Sequence, residues 1–67
     1  MIRVTVNGAD RELPEGLDLV ALLAELGLRP GTVVVERNGE ALVRSELDGV
    51  VLSDGDRLEL VRAVAGG

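Results

Sequence analysis

The residues best suited to chemistry lie at the end of the chain, in the run Val64-Ala65-Gly66-Gly67. Glycine has no Cβ, so a Gly-Gly terminus can lie flat in a narrow channel of a partner protein. We expect residues 64–67 to form a flexible tail. Val64, Ala65 and Gly66 would thread into the channel of the partner, and the Gly67 carboxylate would react there. An ionised carboxylate, with a pKa of about 3.5, is a poor electrophile and must first be activated. The alternative is a frayed terminus without function.

The rest of the chain offers few reactive groups. It contains no Cys, His or Lys, which removes the thiolate nucleophile, the usual proton shuttle and the Schiff-base amine. The few hydroxyl groups have no base to activate them; they belong to Thr5, Thr32, Ser45 and Ser53. We therefore expect a protein that serves as a co-substrate of partner enzymes and is not itself an enzyme.

Charge and hydropathy exclude several classes of partner. The net charge of -5 disfavours nucleic acid, which requires a basic face, and suits a basic protein surface. The longest apolar run, Leu19 to Ala24, is too short for a membrane span, and no signal peptide precedes it, so we expect a cytoplasmic protein. Asp54-Gly55-Asp56, with Asp48 upstream, misses the spacing of a calcium loop and is typical of a turn, so we expect no metal site.

The hydrophobic pattern predicts one α+β domain over residues 1–63. Strand-like alternation, interrupted by Asn-Gly turns at Asn7-Gly8 and Asn38-Gly39, predicts two hairpins and a last strand. Pro14 suggests that the second arm of the first hairpin is an edge strand. The predicted strands are Ile2 to Val6, Ala9 to Leu13, Val33 to Arg37, Glu40 to Val43 and Arg57 to Arg62, with one helical turn after Arg44 and a short bridge near Val50 to Leu52.

One amphipathic helix lies between the two hairpins. Asp18 can cap its first turn, and Gly27 can end it in a left-handed conformation before Pro30. Its apolar positions recur at helical spacing: Leu19, Val20, Leu22, Leu23 and Leu26. A leucine stripe can bind a partner, but in so small a domain we expect it to cover one face of the sheet as core.

The sequence resembles the ThiS family of ubiquitin-like sulfur carriers of thiamine biosynthesis. The resemblance spans nearly the whole chain. It rests on Val6-Asn7-Gly8, Leu22-Leu23-Ala24-Glu25-Leu26-Gly27, the run from Val33 to Glu40, Arg44-Ser45-Glu46, Asp54-Gly55-Asp56 and Val64-Ala65-Gly66-Gly67. Asp-Gly-Asp and Gly-Gly alone are shared with MoaD, the related small subunit of molybdopterin synthase.

The resemblance implies a β-grasp fold and a reaction cycle on Gly67. A ThiF-like adenylyltransferase of the ubiquitin-activating type would use ATP and magnesium to form an acyl-adenylate, and the chain itself would bind no cofactor. A persulfide donor such as a cysteine desulfurase would then supply sulfur, leaving a thiocarboxylate. ThiG-like thiazole synthase would be the acceptor. Two alternatives use the same tail: a MoaD-like subunit, and a ubiquitin-like modifier forming an isopeptide bond through Gly67.

The strand pattern also leaves two valines on the outer face of the sheet. If Val33 and Val35 face the helix, Val34 faces outward, and the same alternation turns Val61 outward in the last strand. In the β-grasp arrangement that the resemblance implies, these strands are neighbours. Val34 and Val61 would then form a small apolar patch that docks the activating enzyme, bordered by Arg3, Glu36 and Glu59. Alternatively, they are ordinary exposed valines of a sheet.

Overall fold

The fold is built from five strands and one main helix. A computed structural model describes residues 1–63. In chain order the elements are β1 (Ile2–Val6), β2 (Ala9–Leu13), α1 (Leu19–Glu25), a 3-10 turn (Pro30–Thr32), β3 (Val33–Arg37), β4 (Glu40–Leu42), the single-turn helix α2 (Arg44–Leu47) and β5 (Arg57–Arg62). Neither helix is long and apolar enough to cross a membrane, within the part of the chain described.

Both predicted hairpins form through their Asn-Gly turns. Asn7 and Gly8 have φ angles of 50° and 82°, and Asn38 and Gly39 have φ angles of 54° and 85°. Two successive left-handed residues make a turn whose twist matches that of the flanking strands, and asparagine and glycine tolerate this backbone best. The turns therefore fix the register of β1 on β2 and of β3 on β4.

The five strands form one mixed sheet in the order β2-β1-β5-β3-β4. Strand β5 lies at the centre, parallel to β1 through Thr5 and Val6 and antiparallel to β3 along its full length. Strand β2 lies at an edge, as Pro14 predicted. The last strand of the chain is thus the best supported one, and it leads directly into residues 64–67.

Helix α1 begins and ends at the predicted residues. The Asp18 side chain accepts a hydrogen bond from the Ala21 amide at 2.7 Å, which satisfies one of the free amides of the first turn. At the other end Gly27 has a φ of 74°, and its amide donates to the Ala24 carbonyl while the Leu28 amide donates to the Leu23 carbonyl. This pair of bonds is a Schellman motif, which stops the helix and turns Leu28 back toward it.

The core lies between α1 and one face of the sheet. Leu19, Leu22 and Leu23 are completely buried, so the leucine stripe covers the sheet as predicted. Strands β1, β3 and β5 supply the opposite side of the core, including Val4, Val35 and Leu58. Truncating one of these buried leucines to alanine typically costs about 2–5 kcal/mol, since the cavity left behind collapses only partly.

The structure shortens one predicted strand. Strand β4 ends at Leu42, one residue before the predicted end at Val43. The Val43 amide instead donates to Oε1 of Glu46 at 2.8 Å, and the Glu46 amide donates to the Val43 carbonyl. Because both backbone groups of Val43 serve the first turn of α2, they do not continue the ladder. The predicted bridge near Val50 to Leu52 is confirmed, since Val51 pairs with Asp18.

Candidate functional site at the root of the C-terminal tail

The tail leaves the sheet from its central strand. The Ala63 amide donates to the Thr32 carbonyl at 2.8 Å, which continues the contact of β5 with the start of β3 by one residue. The residues predicted to thread and react, Val64, Ala65, Gly66 and Gly67, lie outside the described residues. The structure therefore describes the chain as far as the root of the tail, where Ala63 is held beside β3.

On the other side of β5, a side chain replaces a strand. Strand β1 turns away after Val6, so it cannot pair with the last residues of β5. The Asn7 side chain fills this position: its Oδ1 accepts from the Leu60 amide at 2.7 Å, and its Nδ2 donates to the Leu60 carbonyl at 3.1 Å. The asparagine amide thereby pairs with Leu60 as a peptide group of a neighbouring strand would. In the sequence, Asn7 is recognisable only as a turn residue.

Val34 and Val61 form an apolar pair on the outer face of the sheet. They lie directly opposite each other in the antiparallel pairing of β3 and β5, and they are 49% and 62% exposed. Strand alternation therefore assigned both valines to the correct face. Side chains at directly opposite positions have Cβ atoms about 5 Å apart, so the two valines make one continuous surface beside the tail.

Val43, directly after β4, is also exposed, at 61%. The pairing of β3 with β4 ends at Val35 and Leu42, and the backbone of Val43 belongs to the first turn of α2, so Val43 is not part of this paired surface. Val34 and Val61 are called the valine patch below.

Acidic residues border the valine patch. Glu36 and Glu59 lie directly opposite each other, two positions along their strands from Val34 and Val61 and thus on the same face, and both are exposed. The expectation that Arg3 also borders the patch is wrong. The parallel pairing sets Thr5 beside Arg57, so Arg3 lies at the opposite end of β5, where its carbonyl accepts from the Gly55 amide. A parallel register is not fixed by a tight turn, and no local pattern in the sequence predicts it.

At that opposite end the structure holds a buried carboxylate. Asp56 is 6% exposed and accepts hydrogen bonds from Nε and Nη2 of Arg37, Nδ2 of Asn38 and the Ser53 amide, at 2.8–3.1 Å. Burial alone raises the pKa of Asp56, but the hydrogen bonds from Asn38, Ser53 and Arg37 outweigh it, so the pKa lies below its ordinary value. Asp56 thus ties the second hairpin to the start of β5.

The acidic turn before β5 has a structural role. Oδ1 of Asp54 accepts from the Arg3 amide at 2.8 Å, so the two carboxylates of Asp54-Gly55-Asp56 serve different strands. Within residues 1–63, no three acidic side chains come together as metal ligands would. The prediction of a turn over this segment is correct, but no local feature of the sequence indicates that Asp56 is buried.

Comparison with known proteins fits this arrangement. The sequence model of the ThiS family matches residues 4–67. The chain belongs to the ThiS family. A crystal structure of the thiamine biosynthesis protein ThiS from Geobacter metallireducens is 35% identical, with a TM-score of 0.81 over 98% of this chain and 100% of that one. A solution NMR structure of a thiamine biosynthesis protein from the same organism gives a TM-score of 0.78 at 35% identity, over 98% of this chain and 88% of that one. The ThiS-family chain therefore has the β-grasp fold, as the resemblance implied.

Two curated relatives are much longer proteins. Thiazole synthase from Paramagnetospirillum magneticum is 38% identical over 66 residues, and thiazole synthase from Magnetococcus marinus is 35% identical over 66 residues. The match covers 98% of the ThiS-family chain but only 20% of each relative's length. In these relatives a ThiS-like segment is therefore part of a polypeptide that carries the name of thiazole synthase.

Proposed function

We propose that this chain is a sulfur carrier protein of thiamine biosynthesis and acts through the carboxylate of Gly67. The observation that carries the proposal is the ThiS-family match, which extends through the tail to Gly67. The composition supports it, because a chain without cysteine can hold reactive sulfur only at a carbonyl carbon. The chain is then a cytoplasmic co-substrate of its partners and has no catalytic residues of its own.

The proposed cycle begins with activation of the carboxylate. A ThiF-like adenylyltransferase binds ATP and magnesium, and the Gly67 carboxylate attacks the α-phosphate, releasing pyrophosphate. A persulfide, for example that of a cysteine desulfurase, then displaces AMP from the acyl-adenylate. Cleavage of the resulting acyl disulfide by a thiol leaves the thiocarboxylate. The ATP and the magnesium ion belong to the partner.

Thiazole synthase is the proposed acceptor of the sulfur. The two longer relatives support this assignment over a MoaD-like role, because a ThiS-like segment occurs within proteins of that name. The length of the tail is compatible with it. At about 3.4 Å per extended residue, the segment from Ala63 to Gly67 would reach about 17 Å, enough to enter a recessed site from a docked domain.

The outer face of the sheet is the proposed docking surface for the activating enzyme. Val34 and Val61 supply apolar contact beside the root of the tail, and Glu36 and Glu59 supply negative charge next to it. An apolar centre with a charged border is the usual composition of a transient interface. The acidic border would guide the chain onto a basic partner surface, and the valines would hold the tail in register.

Reconstitution tests the proposal directly. The chain ending at Gly67 is incubated with a ThiF-like adenylyltransferase, ATP, magnesium and a persulfide donor, and its C-terminal peptide is sequenced by tandem mass spectrometry. The expected product has one oxygen of Gly67 replaced by sulfur, and thiazole synthase, supplied with the substrates that accept the sulfur, then returns it to the carboxylate. The control is a chain with one residue added after Gly67. Sulfur found at any other position contradicts the proposal. So does the absence of sulfur when the same partner enzymes modify their own carrier protein.

A further inference from the structure

The core opens at the end of the sheet where the tail begins. Along β5 the exposed fraction rises from 0% at Leu58 to 8% at Leu60, and along β3 it is 0% at Val35 and 8% at Val33. Strand β1 is slightly exposed at both ends, with Ile2 and Val6 each at 7% and Val4 at 1%. Strands β3 and β5 thus lose cover at the end where the tail begins, and Val6 lies beside them. The helix side of the sheet is open there because α1 stops at Glu25.

This opening is a groove with an apolar floor. Its volume is about 350 Å³, and its floor is formed by Val6, Leu26, Leu28, Val33 and Leu60. It lies on the face of the sheet opposite the valine patch, and Arg62, the last residue of β5, forms part of its wall. A second cavity of about 410 Å³ adjoins it and shares Leu28 and Arg62. The two cavities together are called the tail-side groove.

Arginine is the only charged residue type in the wall of the tail-side groove. Arg11 and Arg62 line the first cavity, and Arg29 and Arg62 line the second, with no acidic side chain in either. This composition is unexpected in a chain with 12 acidic and 7 basic residues. Among residues 1–63 the ion pairs involve Arg3 and Arg37 only, so the three groove arginines have no acidic partner in the described part of the chain.

We propose that the tail-side groove binds an acidic, apolar segment of a partner protein. The apolar floor requires side chains such as leucine, and the three arginines require carboxylates, which guanidinium groups bind in a paired geometry. A small anion would leave the floor uncovered, and a basic surface would be repelled. The groove and the valine patch flank the root of the tail on opposite faces, the groove with arginines in its wall and the patch with glutamates at its border. Two different partners can therefore recognise the same carrier by different faces.

The test is an NMR titration of the 15N-labelled full chain with synthetic peptides. The probe alternates leucine with glutamate, and the comparison peptides replace leucine by serine or glutamate by lysine. The expected result is movement of the amide signals of Leu28 and Arg62 with the leucine-glutamate peptide alone. Arg62→Glu and Arg11→Glu should each weaken its binding about fivefold or more, since each places like charges together. Arg57→Glu, an exposed arginine on the same strand at the far end, should weaken it less than twofold, roughly the effect of a distant screened charge.

Four results would overturn the proposal. One is the absence of amide shifts at peptide concentrations up to about 1 mM, the weak end of specific association. Another is that Arg57→Glu weakens peptide binding as much as the groove variants do, which would show that only the net charge of the chain matters. A third is binding only after the chain is truncated following Ala63, which would show that its own tail fills the groove. The fourth is shifts that depend on protein concentration without peptide, which would indicate a second copy. None of these measurements uses ATP or sulfur, so their outcome does not depend on whether the proposed carrier function is correct.

Discussion

The Asn7 side chain and the Leu60 backbone are joined by two hydrogen bonds, of 2.7 Å and 3.1 Å, across 53 positions of sequence. They tie the first hairpin turn to the strand that carries the tail. The backbone amide of Asn7 also donates to the Leu58 carbonyl at 2.9 Å, so one turn residue holds two successive inward-facing residues of β5. The strand is thereby fixed on both sides almost to its last residue.

Replacing Asn7 by glycine should loosen the end of β5. Glycine keeps the left-handed backbone of the turn but removes both side-chain hydrogen bonds. We expect a loss of about 1–3 kcal/mol in the free energy of unfolding, from two bonds at about 0.5–1.5 kcal/mol each. Urea denaturation measures this loss, and amide hydrogen exchange should show faster exchange at Leu60. Gly8→Ala tests turn strain alone and should leave Leu60 protected in the native state; equal exchange in both variants would contradict this role.

Asp56→Asn should destabilise the protein in a pH-dependent way. The substitution leaves Arg37 without its carboxylate partner, and we expect a cost of about 2–3 kcal/mol at neutral pH. This is below the ~3–5 kcal/mol of a fully buried pair, since the Arg37 side chain is 29% exposed. Because the folded-state pKa of Asp56 is lowered, its ionisation stabilises the fold above the unfolded-state pKa of about 3.9.

The same linkage fixes the sign of the pH effect. As the pH falls below about 4 and through the folded pKa, Asp56 becomes protonated in the parent, and the stability contributed by its charge is lost. The difference between parent and Asp56→Asn should therefore be largest near pH 7 and shrink in acid. Thermal unfolding over this pH range measures it, with Asp10→Asn, an exposed carboxylate, as the control. A difference that grows in acid would show that the sign is wrong.

The local structure could be predicted because its signals are local. Strand alternation assigned Val34 and Val61 to the outer face, and the Asn-Gly turns fixed the two hairpins. Asp18 and Gly27 marked the ends of α1 through the hydrogen bonds that they make in the structure. In each case the residue type and its immediate neighbours determine the conformation.

Contacts between distant segments could not be predicted in this way. The pairing of Asn7 with Leu60 and the distance of Arg3 from the valine patch both depend on the parallel register of β1 and β5. That register is set by how the whole core packs. Asp56 looks like a turn residue in the sequence, and it is buried only because Arg37 and Asn38 of another hairpin cover it.

The slimness of the tail should be essential for activation. Gly66→Val adds a branched side chain next to the reacting carboxylate, and an extra residue after Gly67 moves that carboxylate away from the nucleotide. Both changes leave residues 1–63 and the core that they form untouched, so circular dichroism should show unchanged folding. ATP–pyrophosphate exchange by the activating enzyme should fall to background in each. Ala65→Gly, which makes the tail slimmer, is the control and should retain exchange; normal exchange by Gly66→Val would refute the threading argument.

The valine patch should contribute to docking and hardly to stability. Val34→Asp and Val61→Asp each place a charge in the apolar surface, and we expect each to weaken binding to the activating enzyme about tenfold or more, as at a desolvated interface. The melting temperature should fall only slightly, because both side chains are about half exposed or more. Val51→Asp is the matched control, a 53% exposed valine outside the patch. Calorimetry measures binding, and parent-like affinity of both patch variants would place the docking surface elsewhere.

Replacing one of the two opposed glutamates next to the patch should raise stability but slow binding to the activating enzyme. Glu36 and Glu59 face each other directly across β3 and β5, and like charges at such positions destabilise a sheet. Glu59→Lys turns this repulsion into attraction, so we expect a gain of roughly 0.5–1 kcal/mol and a rise in melting temperature of about 2–8 °C. If the acidic border guides the chain onto a basic partner surface, the same variant should bind the activating enzyme more slowly, by about tenfold at low salt.

Glu15→Lys is the control for Glu59→Lys. Glu15 is an exposed residue before α1 and forms no ion pair within residues 1–63, so the change in net charge is identical but lies away from the patch. It should alter neither the melting temperature nor the association rate by a comparable amount. Raising the salt concentration should narrow the difference in rate between parent and Glu59→Lys, because exposed charges are screened within about 10 Å at 0.1 M salt. If Glu59→Lys is more stable than the parent but associates as fast, the glutamate pair is not part of the docking surface. If Glu59→Lys is less stable than the parent, the two carboxylates do not repel each other in the folded sheet.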